Sequence, residues 1–434
     1  IVNKNVFQYL LYFIYELVKI ILDLFKSLIS RKIKLRKTDK EVLFISHLTN
    51  SNKVGTKDNY YHNIKKVFNN NKIIIYYINH TKNHYRNNFF ENKYFISNNF
   101  NIGLLNELKI IKMQFNFFFK IFKLKNKNRY NKKIYNLILF EIFKTDTKKN
   151  LRMFFQIDEI IKNSNIKCII LTCEGYAHEK MIFNLSFKNK IASIGYQNIP
   201  LLKNQILIDK SLKTYLPKII WTSDKSSQKI LKKYFKNQIK IFNIGSKNYF
   251  TIQRKSNFAL KNKCLVIPEG FTTETLEIFK MIDNFLKNNK NNNLKFIFRV
   301  HPNLNDIDLY KKLKLYSEKN KKFILSFNKF DNDIRSSDIV IFRGSSAVIN
   351  CFKNELIPIY FKNNENIEIN PLNIKKNKYF TVKDEKDLSK LLNKLTSKKR
   401  RLMYKKKIKI FDKNVYTEIN TLIIKKSLKQ MDII

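Results

Sequence analysis

Short apolar runs alternate with segments of helical period along most of this chain. In the first half, strand-like runs cover residues 42–46, 73–78, 166–172, 191–195, 219–222 and 239–244, with helical period over 105–163 and 179–188. In the second half they cover residues 264–267, 295–300, 323–327, 338–342 and 356–361, with helices over 272–288 and 345–353. Strands that alternate with helices predict parallel sheets. The pattern therefore predicts an α/β chain with two Rossmann-like domains.

A polar and basic stretch around residues 250–262 separates the two series. We predict four parts: an N-terminal helix with a basic flank (1–40), a Rossmann-like domain (41–255), a second Rossmann-like domain (256–390) and a lysine-rich helical tail (391–434). A chain of 434 residues is long enough for two domains with a core each.

The N-terminal segment, residues 6–30, predicts one amphipathic helix. Its charges Glu16, Lys19, Asp23 and Lys26 fall on one face, and a basic cluster follows it. The longest uncharged run is too short to span a bilayer, and the charges in the centre of the helix together with the lack of a small-residue cleavage site argue against a secretory signal. The pattern predicts a helix that lies on an anionic membrane leaflet. The alternative is a helix packed against the protein's own core.

The net charge of +51 narrows the choice of partners. A nucleic-acid binder gathers its positive charge on one face or tail, whereas lysine is spread over every segment here. We therefore predict no nucleic-acid partner and expect anionic small molecules and membrane surfaces instead. The four cysteines form no CxxC pair, which argues against a zinc ribbon or disulfide scaffold and indicates a reducing, cytoplasmic setting.

Ligands of open parallel sheets bind at the carboxyl ends of the strands, so the residues that follow each strand are the candidates. After the strand at 338–342 come Arg343, Gly344, Ser345 and Ser346. The glycine permits a tight turn, and the two serines offer hydroxyls and amides to a phosphate at a helix N-terminus. The alternative is that one serine only caps the helix.

The strand at 295–300 contains Arg299 next to its last residue and is followed by His301 and Pro302. A histidine fixed in this position can donate a proton or a hydrogen bond to a leaving phosphate, and Arg299 can support the same charge. The alternative is a surface histidine in a turn between strand and loop.

Two further segments follow strands in the first domain. Glu174 comes after the strand at 166–172, and His178 and Glu179 follow it in the sequence. A carboxylate at the end of a strand can act as a general base. The alternative makes Glu174 a helix cap and Glu179 a solvated first-turn acid. Tyr196 and Gln197 follow the next strand and are predicted to line the same cleft. No spacing of side chains predicts a metal site.

Together these motifs resemble GT-B glycosyltransferases, with the unit at 338–361 similar to their nucleotide-sugar-binding domain. Bacterial sialyltransferases and polysialyltransferases of this fold carry an acidic pair with Gly, a His-Pro and a Ser-Ser, and this chain has Glu174-Gly175, His301-Pro302 and Ser345-Ser346 in that order. The resemblance implies that Glu174 is the base, that His301 assists departure of cytidine monophosphate, and that the serines hold its phosphate. Cys173 stands at the first acidic position, which makes Glu179 a second candidate base.

The Glu174-Gly175 to Glu179 segment, followed by Gly-Tyr-Gln at 195–197, also resembles a group of bacterial surface-carbohydrate biosynthesis proteins. The implied function is transfer of a sugar from a nucleotide donor, with a CMP-activated acid sugar favoured, to a glycan or lipid-linked acceptor of lipopolysaccharide or capsule. The reaction is expected to invert the sugar, without metal or other cofactor, in a cleft between the domains. The enzyme would be cytoplasmic and peripheral on the inner face of the plasma membrane.

Three alternatives stay open. The first is a CDP-polyol phosphotransferase of the same architecture. The second is a non-catalytic carbohydrate- or nucleotide-binding protein, which the cysteine at position 173 suggests. The third is a membrane-surface or nucleic-acid binder that acts through charge alone.

Overall fold

The computed structural model describes residues 6–29, 37–48, 58, 60–80, 94–97, 101–127, 132–201, 212–246, 261–290, 293–302, 304, 306–362, 369–372, 379–395, 397, 399–401, 403–404 and 417–433. Most of the predicted basic flank and of the boundary stretch at 250–262 lies outside these residues. The described strands form two sheets, one of seven and one of six strands, and every neighbouring pair is parallel. The predicted fold class, two Rossmann-like α/β units, is confirmed.

The first unit has the strand order β3-β2-β1-β4-β5-β6-β7. Its strands are β1 (Val42–Leu48), β2 (Ile73–Asn79), β3 (Tyr94–Ile96), β4 (Cys168–Thr172), β5 (Ala192–Gln197), β6 (Ile219–Thr222) and β7 (Lys240–Asn243). Its helices are α1 (Val6–Ile29), α2 (His62–Lys65), α3 (Leu104–Lys127), α4 (Lys132–Ile142), α5 (Thr145–Lys162), α6 (Ala177–Lys188) and α7 (Lys225–Phe235). The direction of strand addition reverses between β1 and β4, which makes their carboxyl ends the switch point where α/β folds bind ligands.

The second unit has the strand order β10-β9-β8-β11-β12-β13. Its strands are β8 (Lys263–Ile267), β9 (Lys295–Phe298), β10 (Phe323–Leu325), β11 (Ile339–Phe342), β12 (Ile357–Phe361) and β13 (Phe380–Val382). Its helices are α8 (Thr272–Asn288), α9 (Ile307–Lys319), α10 (Phe330–Ser336), α11 (Val348–Lys353) and α12 (Glu385–Leu395). Its switch point lies between β8 and β11.

The strands are apolar throughout because both faces of each sheet are covered. In β1, all seven residues are buried. Leu43 and Ile45 join the core on one face of the sheet, while Val42 and Phe44 join the core on the other. This alternation follows from the two-residue period of a strand.

The end of the chain returns to the first unit. Helix α13 (Thr421–Lys429) places Ile424 and Leu428 in the same core as Trp221, and the Trp221 indole N–H donates to Ser427 Oγ at 2.9 Å. The sequence predicts a helical tail but not this contact. The predicted domain boundaries stay predictions.

Helix α1 turns its two acidic residues, Glu16 and Asp23, toward the protein. Glu16 is 4% exposed and accepts a hydrogen bond from the Thr145 hydroxyl at 2.8 Å. Asp23 pairs with Lys148 at 2.9 Å and with Arg152 at 3.3 Å. No helix among the described residues is long and apolar enough to cross a bilayer.

Candidate active site

Glu179 shapes the loop that follows β4 at the switch point of the first unit. Its Oε2 accepts hydrogen bonds from the backbone N–H groups of Glu174, Gly175 and Tyr176 at 2.9, 2.7 and 3.0 Å, and its Oε1 accepts one from the Thr172 hydroxyl at 2.7 Å. The residue is 1% exposed, so it is not a solvated first-turn acid. Burial raises its pKa, and the four donors oppose the rise. Both oxygens are therefore engaged in holding the loop.

Glu174 differs from Glu179 because its carboxylate is half-buried and no hydrogen bond from the described residues holds it. Burial, and after it the charge of Glu179, raise the pKa of Glu174 to about 7. Tyr60 lies close by, and burial followed by the charge of Glu174 raises the pKa of this phenol to about 12. Glu174 can therefore take up or release a proton near neutral pH.

Three histidines meet at the same edge. His47 Nδ1 lies 2.8 Å from His80 Nε2, and His47 Nε2 lies 3.3 Å from Thr172 Oγ1. The His178 ring lies edge-on to His47 with 5.9 Å between ring centroids, and it stacks on Tyr176 at 5.6 Å. Burial lowers the pKa of His47 to about 3 and that of His178 to about 4, so both rings are neutral at pH 7.

The sequence predicts His178 at this edge but misses His47 and His80. Both stand at the ends of runs that were predicted as strands, and the pairing of Leu48 with Asn79 brings them together. The rule that selected Glu174 would have found them too. Within the described part of the chain, no three His, Cys, Asp or Glu side chains are arranged to hold a metal ion.

Tyr196 and Gln197 face inward. Tyr196 is fully buried and its hydroxyl donates to the Gly245 carbonyl at 2.9 Å. Gln197 is 3% exposed and its Nε2 donates to the Ile199 carbonyl at 3.1 Å. Both side chains therefore support the edge from within and do not line an open surface.

Cys173 also points into the core. It is 1% exposed, and a Cβ atom added at Gly195 would lie 2.8 Å from its Sγ. Burial raises the pKa of the thiol well above its usual value. A carboxylate at this position would be buried against apolar groups, which is costly. The cysteine therefore removes no acid from the exposed edge.

Charged side chains at the second switch point pair with one another. Arg343 is 2% exposed, and its Nε donates to Glu274 Oε1 at 2.9 Å. Burial, and then its neighbour Glu274, raise the pKa of Glu269 to about 7. The sequence misses both glutamates, although Glu269 follows a predicted strand. Arg343, predicted to bind phosphate, already has a partner.

The turn after β11 holds the two predicted serines, of which Ser345 is 9% exposed. A Cβ atom at Gly344 would lie 2.4 Å from Glu269 Oε1, so a larger residue there would push the Glu269 carboxylate aside. Helix α11 begins at Val348, later than predicted, and its N-cap Ala347 makes no side-chain cap. The Ser345 and Ser346 hydroxyls bond to no group in the described ranges, so neither is used as a cap.

His301 follows β9 and packs against Gly270, where an added Cβ atom would lie 3.2 Å from its Nδ1. Burial lowers the pKa of His301, so the ring is uncharged at neutral pH. Arg299 is held elsewhere, because its Nη1 donates to Asp333 Oδ2 at 2.9 Å and to the Asn328 carbonyl at 2.6 Å. That the two edges face one another across a cleft stays a prediction.

Two surface cavities lie away from both switch points. One, of about 850 Å³, is lined by residues that include Asn262, Asn289 and Arg401, and the other, of about 610 Å³, by residues that include Ser193 and Lys218. Both open at the amino ends of the strands, where α/β folds do not place their ligands. We assign neither cavity a role.

Known proteins resemble this chain in structure and not in sequence. No protein-family model matches the chain, and no curated protein matches its sequence. MnaA from S. aureus, solved with UDP, matches with a TM-score of 0.52 at 10% identity over 91% of this chain and 98% of that one. A UDP-N-acetylglucosamine 2-epimerase structure from Listeria monocytogenes matches with a TM-score of 0.51 at 11% identity over 90% and 95%. MurG from Acinetobacter baumannii matches with a TM-score of 0.48 at 9% identity over 90% and 99%.

The two matches above 0.5 extend over nine-tenths of the chain, so they include both sheet units. The chain has the GT-B fold. At these identities the likeness shows the fold alone, and the activity has to be argued from the two switch points.

Proposed function

We propose that this protein is a glycosyltransferase of surface-polysaccharide assembly, which moves a sugar from a nucleotide donor to a glycan or lipid-linked acceptor. The observation that carries the proposal is the contrast between its two switch points. One holds Glu174, a carboxyl group with a pKa of about 7. The other holds a glycine-serine turn whose hydroxyls bond to no described group, and the neutral His301, which packs against Gly270 at the end of the neighbouring strand. A base on one side and phosphate ligands on the other are the parts that sugar transfer needs.

The donor is proposed to lie at the second switch point. The Ser345 and Ser346 hydroxyls and the His301 N–H are uncharged donors, which suit a phosphate whose negative charge grows as the sugar leaves. Gly344 brings the backbone close to that phosphate. Arg343 and Arg299 support this turn indirectly. Arg343 forms an ion pair with Glu274, and Arg299 forms one with Asp333. The motif resemblance favours a CMP-linked acid sugar, while MnaA, which has a similar fold, was solved with UDP.

The acceptor is proposed to lie at the first switch point. Glu174 takes the proton from an acceptor hydroxyl, the hydroxyl oxygen bonds to the anomeric carbon, and the bond from that carbon to the nucleotide phosphate breaks. The electron pair leaves with the phosphate, and His301 and the two serines donate hydrogen bonds to the phosphate oxygens. A single displacement of this kind inverts the sugar and uses no metal ion.

The non-catalytic alternative loses its main support. It rested on the cysteine at position 173, which stands where the resembled family has an acid. Because Cys173 points into the core, the exposed edge still carries its carboxyl group, Glu174.

Peripheral contact with an anionic membrane is the second part of the proposal, because a lipid-linked acceptor lies there. Since the charged face of α1 packs on α5, the opposite face is apolar and turned outward. Leu22, Phe25 and Leu28 on this face are 53%, 59% and 60% exposed. A helix that only covered the protein core would face the other way.

Helix α3, which contacts α1, extends the apolar surface. Phe117 and Phe119 are 50% and 56% exposed, and the exposed Lys120 and Lys123 follow them. Apolar side chains flanked by lysine are the composition of a surface that binds anionic lipid. We place the enzyme on the inner face of the plasma membrane through α1 and α3.

The test is a product analysis with CMP-, UDP- and GDP-sugars, CDP-polyols and lipid-linked glycans as substrates. The proposal expects free nucleotide and a glycosylated lipid in equal amounts. Transfer of polyol phosphate from a CDP-polyol would make the protein a phosphotransferase. An altered sugar still attached to its nucleotide would make it an epimerase. Binding of a nucleotide sugar without any product would contradict catalysis.

A further inference from the structure

A chain of hydrogen bonds runs from Glu179 to the surface and fixes which nitrogen of each ring carries hydrogen. Thr172 donates its only hydroxyl hydrogen to Glu179 Oε1 at 2.7 Å, so its oxygen accepts from His47 Nε2 at 3.3 Å. The neutral His47 ring then has no hydrogen on Nδ1. That atom accepts from His80 Nε2 at 2.8 Å.

The chain leaves His80 with a free lone pair at its outer end. A neutral imidazole carries one N–H, and His80 uses it on His47, so its Nδ1 is an acceptor. His80 is exposed, and its Nδ1 bonds to no group in the described part of the chain. Burial, and after it the charge of Lys149, lower the pKa of His80, so the ring is neutral at pH 7. His47 and His178 also face it, and both are neutral.

The groups around His80 suit a ligand that has both hydroxyl groups and an apolar face. Tyr176 is 52% exposed, and its ring lies within 8° of parallel to that of His178. His178 Nε2 is buried and has no hydrogen-bond partner. Glu174 follows the same strand as Thr172. An aromatic platform beside hydrogen-bonding groups of both kinds fits a sugar ring, which has a C–H face and a hydroxyl rim.

We propose that His80 is an acceptor-binding residue: its Nδ1 accepts a hydrogen bond from a hydroxyl of the carbohydrate acceptor, and the sugar packs against Tyr176. Thr172, His47 and Glu179 act as positioning residues, because they hold the His80 ring in the tautomer that leaves Nδ1 open. This inference rests on the proposed function. It assigns binding of the acceptor sugar to His80 and removal of the proton from the acceptor hydroxyl to Glu174.

The test is His80→Gln, whose amide N–H can still donate to His47 but whose carbonyl oxygen does not occupy the position of the imidazole Nδ1. One neutral hydrogen bond contributes about 1 kcal/mol, so KM for the acceptor rises roughly three- to tenfold while kcat stays within twofold. The matched control is Glu174→Gln, which lowers kcat instead. An unchanged KM in His80→Gln, or a loss confined to kcat, would overturn the inference.

A second measurement needs no turnover, so it separates failure of this inference from failure of the proposed function. Nitrogen NMR of the full chain labelled only in histidine reports the tautomer of each ring at pH 7. We expect hydrogen on Nε2 of both His47 and His80, and a shift toward mixed tautomers in Thr172→Val. Hydrogen on Nδ1 of His80 would refute the acceptor role even in an active transferase.

Discussion

The two α/β units share one sheet plan but keep different groups at their switch points. In the first unit, the histidine rings are neutral and the half-buried Glu174 has a pKa of about 7. In the second unit, the charged groups Arg343 and Glu274 pair with each other and leave a small turn of glycine and serine. The difference teaches that position after a strand selects candidates, whereas existing partners decide which of them can reach a ligand.

Within each unit, neighbouring candidate residues also differ in whether they already have a hydrogen-bond or ion-pair partner. Glu179 accepts four hydrogen bonds and Glu174 accepts none from the described residues. Arg343 is paired, whereas the hydroxyl of Ser345 is not. We therefore assign the chemistry to the member of each pair that is not engaged.

The largest effect is expected from Glu174→Gln, which removes the base and keeps the shape. We expect kcat to fall by roughly 10²- to 10⁴-fold, the usual contribution of general base catalysis, with unchanged acceptor KM. Glu277→Gln, an exposed glutamate on α8, is the matched control and should retain full activity. Activity within threefold of the wild type would move the base to another residue.

The next largest effect concerns the outward face of α1. Replacing Leu22, Phe25 and Leu28 together with serine removes apolar area worth about 1 kcal/mol for each half-buried side chain. We expect affinity for phosphatidylglycerol vesicles to fall roughly a hundredfold in co-sedimentation.

The matched control for α1 is the serine triple variant at Phe187, Leu315 and Leu422, which are exposed on other elements. It should bind vesicles like the wild type. Equal losses in both variants would contradict the membrane assignment. If the wild-type protein does not bind vesicles and light scattering shows dimers, the outward face of α1 would instead bind a second copy of the chain.

Substitutions at the second switch point are expected to have smaller effects. His301→Ala and Ser345→Ala should each lower transfer at least tenfold, because each removes one donor from the leaving phosphate. The melting temperature of Ser345→Ala should match the wild type, since the Ser345 hydroxyl bonds to no group in the described part of the chain. Wild-type turnover in both variants would remove the donor site from this turn.

The pH profile gives the most graded effect, at most about tenfold for each pH unit. Glu174 must be ionised to accept a proton, so kcat/KM should fall about tenfold per pH unit below its pKa of about 7. The raised pKa also means that the folded state holds a proton that the unfolded chain has lost. Wild-type stability relative to Glu174→Gln should therefore decline as the pH rises from about 4.5 through about 7. A flat profile from pH 5 to 8 would contradict this role.

The fold was largely predictable from the sequence, because strands buried on both faces are continuous apolar runs. The short edge strands β3 and β13 were missed since three residues carry little pattern. Helix α7 was missed too, although Asp224 caps it by accepting from the Ser227 N–H at 2.8 Å.

The candidate site was predictable only in part. Its members follow strands, which the sequence shows. Their partners do not stand nearby in the chain: Glu274 lies 69 residues from Arg343, and Thr172 lies 125 residues from His47. Pairing across the sheet and burial therefore decided which side chains are available, and neither could be derived from local pattern.

The central claim is that the turn of Gly344, Ser345 and Ser346 binds the phosphate of a nucleotide. Thermal unfolding with CMP, CDP, UDP and GDP, in the wild type and in Ser345→Ala, tests it most directly. At a hundred times its Kd, the bound nucleotide adds about 2.7 kcal/mol, which raises Tm by several degrees, and Ser345→Ala should lose most of that rise. No rise with any of the four nucleotides, or an equal rise in both proteins, would contradict the account.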